Sequence, residues 1–546
     1  MSEIKYGIYL AYPPTVDLRA EGLGRHLAMF LKGAEKLGNL KFTIVCPSWS
    51  QKTLQELFES EQVSTDTFII DSPKGKPYAL KIFEALNGYR RKRNKFGELI
   101  RRLMYGALNL FQASWDRFIL RAVSVHSLQS LLSFILQGIG LVAILLPLSL
   151  VVLPVLLIKS VKNVMTRVIG KLLSLQPLWL KNGISHTSIS ISKPEKQGWI
   201  LKLFDQMQEV EATRMQKVIE QLPSIKAWYC PTAFWPAINN IESPKLICVP
   251  DVVLSSFPVG FSTIGGDWTM MSFKKIEKTI LNNKFFVTYS DTVKWNTLVD
   301  GYGISPDNVT TIPHAPNALN SWLELSGAGG DGEISREYSL SLMRSALQRS
   351  KNPIYGAALK NDGFKYLFYA SQFRPSKNVL TLLRAYKHLL RSRHLGIKLV
   401  LTGNPSVMPE IGAYVSENGL ERDIVFLEKL SVAELAAVYS LATLAVNPSL
   451  SEGGCPFTFT EALSVQTPVV MARISVAEEI LTDEELQRVT FFDPYDWNDC
   501  ANRIEWALQN RDELLTIQRR SYMKLSDRSW SDVVNEHLNV LMRISS

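Results

Sequence analysis

Cysteine is scarce in this chain. The 546 residues include five scattered cysteines, which are Cys46, Cys230, Cys248, Cys455 and Cys500. Their number is odd and no pair has the spacing of metal ligands, so neither a disulfide framework nor a cysteine metal site is expected. The opening residues, MSEIKYGIYLAYPP, also lack the basic-then-apolar pattern of a secretion signal. These absences predict a reduced, cytoplasmic chain.

Charged residues are also limited, at 20% of the chain, whereas hydrophobic residues make up 46%. This balance is typical of a folded protein and excludes a disordered one. A chain of this length is too long for one core, so two or more domains are expected. The net charge of +9 favours anionic partners such as phosphates, acidic lipid or nucleic acid, without choosing among them.

Short apolar runs alternate with helical segments, which predicts α/β domains with parallel sheets. The first series of predicted strands lies at 6–12, 42–48, 227–230, 246–251 and 285–290. The second series lies at 365–371, 397–403, 424–427, 442–449 and 467–472. We therefore expect two doubly wound, Rossmann-like domains that face a cleft.

The predicted domain boundaries follow from these two series. The first domain is assigned to 1–320 and the second to 364–527. The glycine-rich stretch LSGAGGDGE belongs to a linker or insertion at 321–363, and 528–546 forms a terminal helix.

Residues 90–175 interrupt the α/β pattern as an insertion in the first domain. Between 127 and 158 no side chain is charged, and basic residues flank this stretch on both sides. One membrane span needs roughly 20 apolar residues, so these 32 residues are too many for one span and too few for two. Strands of one sheet precede and follow the insertion, and basic flanks stay cytoplasmic. We therefore predict a membrane-associating hairpin, with a buried helical pair or an oligomer interface as the alternatives.

The segment NPSLSEGGCPFTFTEAL (447–463) follows a predicted buried strand and leads into a helix. Ligands of open α/β sheets bind at the carboxyl ends of strands, where helix N-termini attract phosphates. Gly453 and Gly454 would let the backbone approach a pyrophosphate. Glu461 could accept hydrogen bonds from ribose hydroxyls, and Glu452 would face the sugar. The alternative is that both glutamates are surface or capping groups.

This segment resembles the signature of retaining glycosyltransferases of family four, the group 1 glycosyl transferases, which have the GT-B fold. That family has two glutamates, followed by Ala-Leu and a TPVV strand, and the matching parts here are Glu452, Glu461 and TPVV at 467–470. The resemblance implies transfer of a sugar from a nucleotide-sugar donor. It covers most of 1–60 and 225–546, but not the insertion.

Two further motifs carry the same resemblance. SQFRPSKN (371–378) resembles the loop in which an Arg and a Lys clamp the donor diphosphate, which implies that role for Arg374 and Lys377. Two cations there would neutralise the charge of the leaving diphosphate, although they could instead only solvate a helix start. EGLGRHLAMF (21–30) resembles the first glycine loop, so Gly22 and Gly24 would lie near donor phosphate or acceptor, with a plain turn as the alternative.

The sequence departs from the family pattern at three points. Eight residues separate Glu452 from Glu461 where the family has seven, and Gln466 stands where glycine is usual. Pro250-Asp251 stands where many members have a His-Asp pair, so the imidazole is missing. No Asp-x-Asp occurs in a donor-site context, so we expect neither a metal nor a cofactor.

The leading hypothesis is a cytoplasmic, membrane-associated glycosyltransferase that acts on a glycan or lipid-linked acceptor. The hydrophobic insertion and its basic flanks imply an anionic membrane surface as a partner. No nucleic-acid partner is expected, because the basic residues cluster beside the apolar stretch and not on an aromatic-rich face. A catalytically silent GT-B scaffold and a GT-B epimerase or phosphorylase are the competing hypotheses.

Overall fold

A computed structural model of the protein describes residues 5–85, 198–324, 332–350 and 364–546, apart from positions 15, 17, 19–21, 39, 258 and 262–266. The chain divides into two compact units, residues 1–75 with 202–546 and residues 76–201. The predicted insertion at 90–175 and its apolar stretch at 127–158 lie outside the described residues. Among the helices that the structure describes, none is long and apolar enough to cross a bilayer.

The first sheet has seven strands in the order β3-β2-β1-β4-β5-β6-β7, and all neighbours pair in parallel. This sheet and the helices that pack on it form what we call the first domain. The strands are β1 Lys5–Tyr9, β2 Phe42–Val45, β3 Phe68–Asp71, β4 Ile225–Cys230, β5 Lys245–Cys248, β6 Phe285–Thr288 and β7 Val309–Thr311.

The second sheet has six strands in the order β10-β9-β8-β11-β12-β13, again all parallel, and it organises the second domain. The strands are β8 Tyr366–Tyr369, β9 Lys398–Leu401, β10 Ile424–Phe426, β11 Leu444–Asn447, β12 Val469–Ala472 and β13 Phe491–Phe492. The α/β class with parallel sheets is therefore confirmed.

Helices cover the faces of both sheets. Those that precede the second sheet are α1 Gly22–Leu37, α2 Gln51–Ser60, α3 Gly198–Glu220, α4 Val253–Ser256, α5 Asp267–Leu281 and α6 Gly332–Arg349. Those that follow β8 are α7 Val379–Arg391, α8 Pro409–Glu417, α9 Val432–Ser440, α10 Phe457–Ser464, α11 Ser475–Ile480, α12 Glu484–Thr490, α13 Trp497–Gln509, α14 Arg511–Ser526 and α15 Trp530–Ser545.

The central strands are apolar along their length because helices cover both of their faces. Every residue of β8, β11 and β12 is buried, and these strands form one continuous core with the helices of the second domain. In the first domain, β2 is likewise fully buried, and its residues belong to a separate hydrophobic core. Continuous burial explains why these runs lack the alternation of a half-exposed strand.

The C-terminal helix α15 packs against α1 in the first domain. Its buried residues Trp530, Val533 and Leu541 belong to the core of the first domain. Gly33 of α1 lies so close to the Trp530 backbone that a Cβ atom at this position would overlap it. A capping box between Ser529 and Asp532 fixes where α15 begins. The chain thus returns to the first domain after completing the second.

Each sheet reverses its strand order next to its first strand. In the first domain β1 lies between β2 and β4, and in the second domain β8 lies between β9 and β11. Such a reversal opens a crevice at the carboxyl ends of the two diverging strands, where ligands of open α/β sheets bind. A functional site is therefore expected at the loops that follow β8 and β11.

Candidate active site

The loops after β8 and β11 bring Lys377 and Glu452 into direct contact. The Nζ atom of Lys377 lies 2.8 Å from Oε1 of Glu452 and 3.4 Å from Oγ of Ser449. Both side chains are mostly buried, with 23% and 20% of their surfaces exposed. A charge-assisted hydrogen bond in such a setting is shielded from solvent and therefore holds both groups in place.

Local backbone geometry aims Lys377 at this contact. Pro375–Lys377 forms a 3₁₀ turn, and Asn378 follows in a left-handed conformation with φ of 50° before α7 begins. The backbone N–H of Leu450 donates to the Ser376 carbonyl at 2.8 Å, so the two loops are bonded to each other. The loop after β8 is thus fixed against the loop after β11 rather than extending freely into solvent.

Arg374, the second predicted phosphate ligand, occupies a more exposed position on the same loop. Its Nη2 atom donates to the Gln372 side-chain oxygen at 2.9 Å. Its positive charge also lowers the pKa of Asp251, a residue of the first domain. Arg374 therefore lies on the side of the loop that faces the first domain.

Asp251, which follows β5, is the first domain's acidic group at this site. Its pKa is raised to about 6, chiefly by burial; Lys377 and Arg374 lower this pKa, and the neighbouring carboxylate of Glu452 raises it. Asp251, Lys377 and Glu452 therefore form one electrostatic cluster, contributed by both domains. A carboxyl group that titrates near neutral pH in a cleft is a recognised sign of a functional site.

Gly453 and Gly454 allow the two domains to touch. A Cβ atom on Gly453 would overlap the Pro250 carbonyl oxygen, and the Gly453 carbonyl accepts a hydrogen bond from Ser290 Oγ at 3.0 Å. A Cβ atom on Gly454 would lie 3.0 Å from His314 Nε2. The predicted approach of a pyrophosphate to these glycines stays a prediction, but the close approach of protein backbone is evident.

Glu461 occupies a different neighbourhood from the Lys377–Glu452 pair. Its Oε1 atom accepts a hydrogen bond from Asn317 Nδ2 at 2.8 Å and lies 3.2 Å from Nη2 of Arg25. Only 4% of Glu461 is exposed. It thus joins α10 to α1 and to the segment that connects the two domains, and its predicted ribose contact stays a prediction.

Gly22 and Gly24 lie in the first turn of α1 and not in an open loop. Gly22 lines a cavity of about 30 Å³ together with Arg25 and Asn317. Gly24 is buried, and a Cβ atom there would overlap the Leu18 carbonyl oxygen. The requirement for glycine at position 24 is therefore explained by backbone packing, whereas Gly22 has open space around its α-carbon.

Sequence reasoning missed Arg25 and Asn317, the partners of Glu461. Arg25 directly follows Gly24, so the glycine motif pointed to its vicinity but not to its side chain. It also missed Glu479, whose carboxylate accepts hydrogen bonds from the backbone N–H groups of Asp291 and Thr292 at 2.7 and 2.8 Å. No local pattern distinguishes Glu479 from other helix carboxylates.

The buried histidines near the cleft are packing groups. His314 lies with its ring centroid 4.5 Å from that of Phe457, and burial lowers its pKa to about 4. The imidazole is therefore neutral at pH 7. Within the described ranges, no three His, Cys, Asp or Glu side chains are grouped as ligands for a metal ion.

The fold and this site define a two-domain α/β protein with a charged crevice at the switch point of its second sheet. Residues 351–524, which include Arg374, Lys377, Glu452 and Glu461, match the family model described as "Glycosyl transferases group 1". The match covers the second domain and not the first.

Curated proteins and solved structures are similar to this chain, and two of the curated relatives illustrate the range. The O-antigen chain mannosyltransferase RfbU of Salmonella typhimurium is 28% identical over 159 residues, which are 28% of this chain and 43% of the relative. The D-inositol 3-phosphate glycosyltransferase of Corynebacterium glutamicum is 25% identical over 203 residues, which are 36% of this chain and 43% of the relative. The chain thus matches less than half the length of each relative.

One of the solved structures that are similar to this chain is the Candida albicans trehalose-6-phosphate phosphatase N-terminal domain. It aligns with a TM-score of 0.54 at 9% sequence identity and covers 100% of this chain and 98% of that one. At this identity the likeness concerns the fold alone.

Proposed function

We propose that this protein is a glycosyltransferase that moves a sugar from a nucleotide-diphosphate sugar to a glycan or lipid-linked acceptor, with retention of configuration. The observation that carries the proposal is the Lys377–Glu452 contact at the switch point of the second sheet, inside the region that matches group 1 glycosyl transferases. The resemblance to family four supports retention.

On the donor side, the bond between the sugar C1 atom and the diphosphate oxygen breaks, and negative charge develops on the leaving diphosphate. Lys377 and Arg374 neutralise this charge, and the backbone amides of Gly453 and Gly454 add further hydrogen-bond donors. Lys377 donates a hydrogen bond to the Glu452 carboxylate. When the diphosphate takes over Lys377, the Glu452 carboxylate becomes available to orient the sugar hydroxyls.

On the acceptor side, a hydroxyl oxygen forms the new bond to C1 on the face that the diphosphate leaves. The hydroxyl proton passes to the departing diphosphate oxygen, so charge and atoms balance. Asp251 reaches the same cluster from the first domain, and with a pKa of about 6 it is largely ionised at neutral pH. Its role in this scheme is to accept a hydrogen bond from the acceptor hydroxyl and so position it.

Glu461 holds the donor ribose in this proposal, as the family resemblance implies. Its carboxylate lies 3.2 Å from the Arg25 guanidinium and accepts a hydrogen bond from the Asn317 amide. Ribose hydroxyls would therefore compete with the Arg25 guanidinium for the same oxygen. Donor binding would therefore replace the Arg25–Glu461 ion pair between α1 and α10 by hydrogen bonds from the ribose to Glu461.

The acceptor is proposed to be membrane-proximal, with the protein on the cytoplasmic face of the membrane. The support is the uncharged stretch at 127–158 and its basic flanks, together with the O-antigen named for one relative. Polysaccharide biosynthesis is the biological setting that this combination favours.

The test uses purified full-length protein with UDP-glucose and GDP-mannose in separate reactions, each with a short glycan acceptor. Release of nucleoside diphosphate is measured, and the anomeric configuration of the product is read by NMR. Binding of either donor should also raise the melting temperature. If neither donor nor related nucleotide sugars shift the melting temperature or release diphosphate, the proposal is wrong and a silent scaffold is favoured.

A further inference from the structure

A second cavity, of about 390 Å³, lies beside the segment that connects the two domains. We call it the hinge cavity. The connecting residues Pro316 to Trp322 contribute one wall, and α1 contributes another through Lys32 and Lys36. Its size is within the range of small-molecule sites. Lys377, Glu452 and Asp251 are not among the described residues that line it, whereas Arg25 and Asn317, the partners of Glu461, are, so the cavity borders the predicted ribose site and lies apart from the Lys377–Glu452 pair.

The hinge cavity has uncommitted positive charge. Lys32 and Lys36 line it one helical turn apart on α1, where two like charges repel unless an anion lies between them. In the part of the chain that the structure describes, neither lysine takes part in an ion pair. The two lining arginines differ, because Arg25 pairs with Glu461 and Arg528 pairs with Glu536. The two lysines are therefore the groups that a phosphate would engage.

Aromatic and hydrogen-bonding groups complete the lining. Trp322, Tyr522 and Trp530 supply ring surface, and the carboxylate of Glu61 supplies an acceptor for hydroxyl groups. Trp530 is only 8% exposed, so its ring is held rigidly in the wall.

We infer that the hinge cavity is a binding site for a phosphorylated monosaccharide. The phosphate lies between Lys32 and Lys36, the sugar ring packs on the tryptophans, and its hydroxyls bond to Glu61. An inorganic anion alone would leave the aromatic walls unused, and a neutral sugar would leave the two lysines unpaired. The combination of both features in one cavity selects a ligand that has both.

The location gives such a ligand a regulatory effect. One wall comes from α1 and Trp530, which belong to the first domain, and another from Val432 and Tyr522 in the second domain. A ligand that contacts both domains and the connecting segment favours the domain arrangement in which the cavity has this shape. It would therefore change donor affinity without touching the donor.

Calorimetry on the full-length protein without donor tests the inference. Glucose 6-phosphate and mannose 6-phosphate are the probes, with glucose and inorganic phosphate as the partial ligands. We expect saturable binding of at least one sugar phosphate and binding at least tenfold weaker for glucose and for phosphate. The Lys32→Gln/Lys36→Gln double variant should weaken binding roughly tenfold or more, because hydrogen bonds to charged groups are the strong ones.

The matched control is Lys387→Gln, which removes an exposed lysine on α7 and should leave binding unchanged. The single Lys36→Gln variant, at an exposed position, gives the same answer if the double variant does not fold.

The inference is overturned if both sugar phosphates fail to bind at about 10 mM, or if the double variant binds as well as the control. It is also overturned if UDP-glucose or GDP-mannose displaces the probe competitively, because the probe would then lie in the donor site. If the full-length protein binds the probe but shows no transferase activity, the proposed function is contradicted and the inference about the hinge cavity is not.

Discussion

Lys377 and Glu452 lie 75 positions apart in sequence, yet their side chains meet at 2.8 Å at the carboxyl edge of the second sheet. The contact exists because β8 and β11 are neighbouring parallel strands whose following loops emerge side by side. The contact restricts the motion of both side chains, and the charge of each side chain neutralises that of the other. Under the proposed function, a donor diphosphate would compete with Glu452 for Lys377.

Replacement of Lys377 by alanine should lower turnover by about 10²–10³, which is the typical effect of removing one well-aimed donor at a developing charge. The rate of nucleoside diphosphate release by the purified variant measures this. Lys387→Ala is the control, because it removes an exposed lysine of α7. Near-normal turnover of Lys377→Ala, at a level equal to that of the control, would show that this cation does not act on the diphosphate.

Glu461→Ala should raise KM for the donor more than it lowers kcat, because ribose contacts exist in both the ground state and the transition state. The same change should lower the free energy of unfolding by about 1–3 kcal/mol, since it leaves the buried Asn317 amide unpaired. Steady-state kinetics and denaturant unfolding measure the two effects.

Glu478→Ala is the matched control for Glu461→Ala, because it removes a carboxylate from an exposed ion pair with Arg473. Such surface pairs contribute little, so this variant should behave like the parent. A loss of stability at Glu461 with unchanged donor KM would assign this residue to the domain contact and remove it from the donor site.

Asp251→Asn should change the pH dependence of stability. Burial raises the folded-state pKa of Asp251 from 3.8 to about 6, so the folded chain holds this proton more tightly than the unfolded chain does. The stability that protonated Asp251 contributes is fully present below the unfolded-state pKa and is lost as the pH rises through about 6. The asparagine variant lacks this loss, which corresponds to up to about 3 kcal/mol.

Melting temperatures of the parent and Asp251→Asn should therefore diverge in favour of the variant as the pH rises through this window, and then run parallel. Thermal unfolding in a series of buffers measures the divergence. Curves that are parallel across the whole range would mean that the Asp251 carboxyl is not desolvated.

The core strands and the loops that follow them were predictable because continuous apolar runs mark strands buried on both faces. Among the edge strands, β10 was predicted at 424–427, whereas β3, β7 and β13 were not. In β3 no residue is fully buried, and β13 has two residues, so neither leaves a recognisable pattern. The proximity of Lys377 to Glu452 follows from parallel pairing once the strands are placed. The partners of Glu461 do not follow, because the face that α1 presents to α10 is set by the packing of whole domains.

Gln466→Gly should stabilise the protein by about 0.5–1 kcal/mol. Gln466 has a φ of 65°, a left-handed conformation that side chains disfavour. It is the C′ residue of a Schellman motif at the end of α10, in which Thr467 N–H donates to the Ala462 carbonyl and Gln466 N–H to the Leu463 carbonyl. Glycine would keep both hydrogen bonds without the strain. Gln466→Ala is the control, because alanine retains a Cβ atom and should give no such gain. Chemical unfolding measures both variants, and an equal gain in stability from both would show that the left-handed conformation of Gln466 is not strained.

Deletion of 127–158, with a short glycine linker in its place, should release the protein from membranes and leave donor binding intact. The reason is that these 32 residues carry no charge and lie between basic segments, whereas the predicted donor ligands all lie outside them. Basic residues near anionic headgroups contribute about 1 kcal/mol each, so the segment at 90–95 should retain weak, salt-sensitive binding after the deletion. Transfer to a lipid-linked acceptor should fall more than transfer to a soluble analogue, because only the former requires placement at the membrane. Flotation with anionic vesicles at low and high salt measures the first effect, and parallel assays with the two acceptors measure the second. If the full-length protein stays in the soluble fraction without detergent, the stretch serves a protein contact instead, and the deletion should then change the oligomeric state.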